Sequence, residues 1–166
     1  MRPMSTDGDL YVLAEYLRAK GMTLSLAESC TGGWISQMVT ARPGSSEYFL
    51  GCAVVYSNKA KEDILGVSHE TLLAHGAVSE ETAKEMAHGA RRVFGSDIAA
   101  SVTGIAGPGG ATDEKPVGMV CIAATDGVNI VSSVNRFGGD RTMVREASVA
   151  AAIRDLLRLL EIENGL

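Results

Sequence analysis

Aromatic residues are scarce in this 166-residue chain, with one Trp, four Tyr and three Phe, and so are Cys and Pro, at three and four. With so few large rings, a core has to be built from small and aliphatic side chains that let elements approach closely. Cys30, Cys52 and Cys121 are an odd number in a Cys-poor chain, which argues against a secreted disulfide framework and for a reducing, cytoplasmic setting. Positive charge is also short. The 15 Lys and Arg face 20 Asp and Glu, and a net charge of −5 offers no field for a nucleic-acid backbone. No run reaches the ~18 to 20 apolar residues of a membrane span, and the first residues carry no apolar signal core. The expectation is therefore no membrane partner and no export. What is abundant is hydrophobic residues, at 46%, and Gly, at 19. That suffices for one well-buried domain, taken as residues 1–166 with a core of about 7–160.

Periodicity supplies the elements. Leu10, Leu13, Ala14 and Leu17 fall at i, i+3, i+4, i+7 after a capping Asp7, and Lys20-Gly21 closes that helix. Thr23 to Ala27 alternates as a strand, and Trp34, Ile35, Met38 and Val39 begin a second helix that Pro43-Gly44-Ser45-Ser46 breaks. Tyr48 to Tyr56 is a nearly continuous apolar run, the pattern of a central strand buried on both faces. Asn58 caps a short helix carrying Lys61, and Gly76 and Ser79 separate two more. Ile98 to Val102 is a strand. Val117 to Ala124 and Val128 to Phe137 flank the hairpin signal Asp126-Gly127. Asp140 opens a last helix with a stripe at Val149, Ile153, Leu156, Leu157 and Leu160. Alternating strands and helices predict an α/β protein, a three-layer α/β/α sandwich with a mixed, mostly parallel central sheet.

Polar and flexible residues concentrate at Glu28 to Gly33, Pro43 to Ser46, Tyr56 to Lys61 and Thr103 to Gly110, with Gly138 to Arg141 as a fifth segment. Three of the first four follow a predicted strand, where open α/β sheets form their crevices. Glu28-Ser29-Cys30-Thr31-Gly32-Gly33 offers nucleophiles and hydroxyls before a helix start, fit for an oxyanion or for ordinary capping. Lys61 is either a solvated lysine or a base dried out among Ser46, Ser29 and Tyr56, its pKa then well below the ordinary value. Thr103, Gly104, Gly107 and Gly109 belong to a loop whose bare backbone suits close approach to a flat or anionic ligand. Arg141 has the fork for a phosphate or carboxylate, or for a surface acid. His69, His75 and His88 have no metal-ligand spacing, so no metal site is predicted.

Seven ordered segments carry a resemblance: Ala27 to Gly33, Pro43 to Ser46, Tyr56-Ser57-Asn58 with Lys61, Gly76 to Ser79, Thr103 to Gly110, Lys115 to Gly118 and Gly139-Asp140-Arg141. Together they resemble the CinA C-terminal domain family, the nicotinamide-nucleotide amidohydrolases. The resemblance implies hydrolysis of the carboxamide of nicotinamide mononucleotide to nicotinate mononucleotide and ammonia, in pyridine-nucleotide recycling. It also implies a stand-alone form without the N-terminal domain of longer members, no cofactor, and self-association into a dimer or higher homo-oligomer. Carried to these positions, it suggests a Ser–Lys amidase with Ser46 as nucleophile, Lys61 as base, and Tyr56 and Ser29 completing the site. Thr31, Gly32, Gly33, Thr103, Gly104, Gly107, Gly109 and Arg141 would bind the substrate. Cys30 with Glu28 and Lys61 is a rival nucleophile set, Lys59 a fallback base, and a non-catalytic nucleotide-binding module the rival function.

Overall fold

The strands fall into one sheet because each carries an uninterrupted stretch of small or aliphatic residues, and helices fall between them where the apolar period lengthens. The computed structural model describes residues 5–162. In chain order these form α1 (Thr6–Lys20), β1 (Leu24–Glu28), α2 (Trp34–Thr40), a 3-10 turn (Ser45–Glu47), β2 (Phe49–Val54), α3 (Asn58–Leu65), α4 (His69–His75), α5 (Glu80–Phe94), β3 (Ile98–Gly104), β4 (Met119–Thr125), β5 (Ile130–Arg136) and α6 (Arg141–Leu159). The sheet order is β2-β1-β3-β4-β5. β1 pairs parallel with β2 and β3, and β4 pairs antiparallel with β3 and β5. Four of the five strands therefore point the same way, in the mixed sheet that the element pattern predicts.

Two apolar layers flank the sheet. On one face α1, α2 and α6 pack Leu13, Leu17, Ile35, Ile153 and Leu156 against Leu24, Leu26, Ile98 and Ile122. On the other face, α3, α4 and α5 pack Leu65, Leu72, Met86 and Ala90 against Ala27, Ala53 and Ala99. Small strand residues on this second face let α5 sit close, the consequence expected from the shortage of large rings.

Several local expectations are corrected. The run from Tyr48 to Tyr56 is the edge strand β2, with Leu50 and Val54 about half exposed, because β1 and β3 occupy the interior of the sheet. β1 does not alternate: all five residues are buried, and Ser25 satisfies its hydroxyl on Ser96 at 2.7 Å. The caps of α1 and α3 are Ser5 and Ser57, which accept from Gly8 N and Ala60 N, one or two residues before the Asp7 and Asn58 of the sequence reading. Asp140 does cap α6, accepting from Met143 N.

The connections leaving the C-terminal ends of β1 and β3 diverge, one toward β2 and the other toward β4. Such a switch point opens a crevice beyond the strand ends. The 105–118 loop and the start of α6 lie at that same end.

Candidate active site

Lys61 determines the chemistry available here. On α3 it shares the buried face with Leu65 one turn later, and it is only 1% exposed. Its Nζ donates to Ser29 Oγ at 3.0 Å, to Val55 O at 3.0 Å and to Tyr56 O at 3.2 Å. Among the described residues it forms no ion pair. Burial lowers its pKa from the ordinary lysine value, with the nearby Cys30 acting weakly in the opposite direction.

Ser29 directly follows β1 and is 7% exposed. A cavity of about 230 Å³ opens beside it, lined by Cys30, Tyr56 and Lys61, by Thr103 and Gly104, which end β3 and do not belong to the loop of the sequence reading, and by residues of the following 105–110 loop, with Arg141 at its rim. Thr103 fixes the floor by donating its hydroxyl to Ala77 O at 2.8 Å. Arg141 donates to Gly107 O at 2.8 Å and to Tyr56 OH at 3.1 Å, spanning the mouth. The N–H groups of Ala106, Gly107, Gly109 and Gly110 donate to no backbone acceptor among the described residues. These free donors suit an anionic or carbonyl-rich ligand.

Ser46 is not brought to this site. It sits in the exposed 3-10 turn before β2, and β2 runs parallel to β1, so Ser46 lies at the sheet end opposite Ser29. Six residues of strand separate the two ends, about 15 Å or more at the strand rise. The hydroxyl beside Lys61 is that of Ser29. Thr31, Gly32 and Gly33 also stand outside the cavity lining and form the turn into α2. Thr31 is fully buried and its Oγ1 has no partner among the described residues.

The rival residues are otherwise engaged. Cys30 reaches the cavity, but burial pushes its thiol up to about 11. Glu28 turns away: its carboxylate accepts from Ile35 N at 2.9 Å, Ser36 N at 3.0 Å and Ser36 Oγ at 2.8 Å. It caps α2 and is not part of a Cys–Glu–Lys set. Lys59 is exposed and paired with Asp63. No group of three His, Cys, Asp or Glu side chains could hold a metal ion among the described residues.

Asn58, Ala77, Val78, Ile105 and Ala106 also line the cavity; they lie within the segments that carry the resemblance but have no site role in the sequence reading. Arg145 was missed as well. It lies one turn after Arg141 and donates Nε to Cys30 O at 3.0 Å and Nη2 to Thr31 O at 3.1 Å, with its guanidinium 5.3 Å from the Trp34 ring centre. The spacing of four between the two arginines was the available signal.

The CinA C-terminal domain model matches residues 10–160. The chain belongs to the CinA C-terminal domain family. Among curated relatives it is 50% identical over 152 residues to a CinA-like protein of Chloroherpeton thalassium, covering 89% of this chain and 36% of that protein. A CinA-like protein of Geobacter metallireducens is 51% identical over 148 residues, again covering 36% of its length. The chain thus spans about a third of these longer proteins. Solved structures of similar size include the competence/damage inducible protein CihA of Agrobacterium tumefaciens, at 41% identity and a TM-score of 0.92, covering 96% of this chain and 98% of that one. A CinA superfamily protein of Escherichia coli follows at 32% identity and 0.91, covering 96% and 92%. No described helix of this CinA-family chain is long and apolar enough to cross a membrane.

Proposed function

We propose that this CinA-family protein hydrolyses the carboxamide of nicotinamide mononucleotide to nicotinate mononucleotide and ammonia, with Ser29 as nucleophile and Lys61 as its base. The observation that carries this reading is the buried Lys61 amine 3.0 Å from Ser29 Oγ, with two main-chain carbonyls as its other partners. In the neutral amine, the two N–H bonds go to Val55 O and Tyr56 O, and the lone pair faces the Ser29 hydroxyl. A base so oriented takes the serine proton without reorganisation.

The Ser29 oxygen then attacks the carboxamide carbon. Collapse of the tetrahedral intermediate breaks the C–N bond as Lys61 returns its proton to the departing nitrogen, which leaves as ammonia. Water then attacks the Ser29 ester as the same lysine takes its proton, and collapse breaks the acyl–oxygen bond while Lys61 returns that proton to Ser29 Oγ, which releases nicotinate mononucleotide and restores the free serine. Arg141 and the free N–H groups of the glycine loop support a role for that rim in holding the phosphate and ribose. Cys30 fits less well, since a thiol held protonated to about 11 supplies little thiolate at neutral pH.

Incubating the purified protein with nicotinamide mononucleotide and measuring ammonia together with nicotinate mononucleotide tests the reading. Ser29→Ala is expected to lose roughly 10³-fold or more in kcat, and Ser46→Ala to stay within about twofold of the unsubstituted protein. Binding of the nucleotide without ammonia release, or full activity in Ser29→Ala, would overturn it.

A further inference from the structure

Arg145 sets its guanidinium against the segment that follows β1. It forms no ion pair among the described residues, and both of its hydrogen bonds end on carbonyls of one short turn, Cys30 O and Thr31 O. That turn runs directly on from Ser29 and is closed by Gly32 N donating to Ser29 O at 3.1 Å. Gly32 takes a φ of +60° there, and a Cβ at that position would come within 3.4 Å of Arg145 Nη2. Trp34 lies against the guanidinium, so its place is set from two sides. Within the turn, Ser29 N donates to Val102 O, whereas the N–H groups of Cys30 and Thr31 donate to no backbone acceptor among the described residues.

We infer that Arg145 is a positioning residue of the hydrolysis proposed above: it braces the Ser29–Gly32 turn so that the N–H group of Cys30, which lines the cavity, receives the oxyanion of the tetrahedral intermediate. The inference rests on that reading for its substrate. Two features favour it. The guanidinium on Thr31 O polarises the peptide whose other end is Gly32 N–H, that N–H donates to Ser29 O, and the Ser29–Cys30 peptide polarised in turn carries Cys30 N–H, strengthening that donor. The same bonds hold the turn rigid beside the nucleophile, and fixed donors stabilise developing charge without reorganisation.

The experiment measures kcat and KM on nicotinamide mononucleotide for Arg145→Gln and Arg145→Lys, and the rate at which a fluorophosphonate labels Ser29. In labelling, the Ser29 oxygen bonds to phosphorus, the P–F bond breaks, fluoride leaves, and the serine proton passes to Lys61. It needs the same oxyanion donor and no nucleotide. Arg145→Gln is expected to lose about 10- to 100-fold in kcat with KM within threefold, and to slow labelling in proportion. Arg145→Lys keeps the charge without the fork and is expected to fall between. If Arg145→Gln does not fold, Arg145→Lys carries the same comparison. A raised KM with unchanged kcat would overturn the inference, because the arginine would then be holding substrate directly. Labelling at the unsubstituted rate in the folded variants would overturn it too. Wild-type protein inert toward the nucleotide, yet labelled faster than its Arg145 variants, would sink the substrate reading and uphold Arg145.

Discussion

A lysine enclosed by carbonyls and a hydroxyl, with no ion-pair partner among the described residues, costs stability whenever it is protonated. Burial lowers the folded-state pKa of Lys61 below the ordinary 10.5. Between that lowered value and 10.5 the unfolded chain binds the extra proton, so stability rises with pH across this window; below the lowered value the penalty is present in full. Wild-type protein should therefore gain stability relative to Lys61→Met as pH climbs toward 10.5, as followed by urea titration at several pH values. The same ionisation should appear as an acidic limb in kcat/KM that lies below the ordinary lysine range. A limb at the ordinary value would count against a neutral base. The sequence marked Lys61 as a candidate but could not reveal which serine it meets. Ser29 and Ser46 sit in equally polar, glycine-flanked segments, and only the direction of β2 separates them.

At the level of elements, the reach of Lys61 depends on how closely α3 approaches α5. Gly89 makes that approach possible: a Cβ on it would stand 2.2 Å from Leu65 O and 2.9 Å from Leu65 Cβ. Gly89→Ala adds about 1 kcal/mol of helix propensity, but a hard overlap with backbone outweighs it. A net loss of about 1 to 3 kcal/mol is expected by chemical denaturation, with a fall in kcat as α3 backs away and carries Lys61 from Ser29. Helix identity was legible from the apolar period, since α1 and α6 present the stripes that the spacing predicts. Strand position was not. A continuous apolar run says that a strand has apolar surroundings on both faces, and β2 meets that condition incompletely at an edge, under the short α2.

Across the whole molecule, the cavity draws on parts of the chain far apart in sequence: the end of β1, the end of β2 with α3, the loop after β3, and the start of α6. Arg141 ties three of these together through Tyr56 OH and Gly107 O. Arg141→Ala should raise KM for nicotinamide mononucleotide about tenfold or more with kcat within about threefold, and should change little with nicotinamide riboside, which lacks the phosphate. Equal losses on both compounds in steady-state assays would contradict a phosphate-holding role. The sandwich architecture and the glycine loop were readable because composition and turn chemistry encode them locally. The membership of the site was less so, because Arg145 and Ala77 reach it only through tertiary packing. All of the reactive groups gather at one pole of the sheet. The β4–β5 hairpin projects from the other pole, where Val128 is 92% exposed. A fluorophore or a surface tether attached there would leave the chemistry undisturbed, which gives single-molecule and immobilised-enzyme work a natural handle.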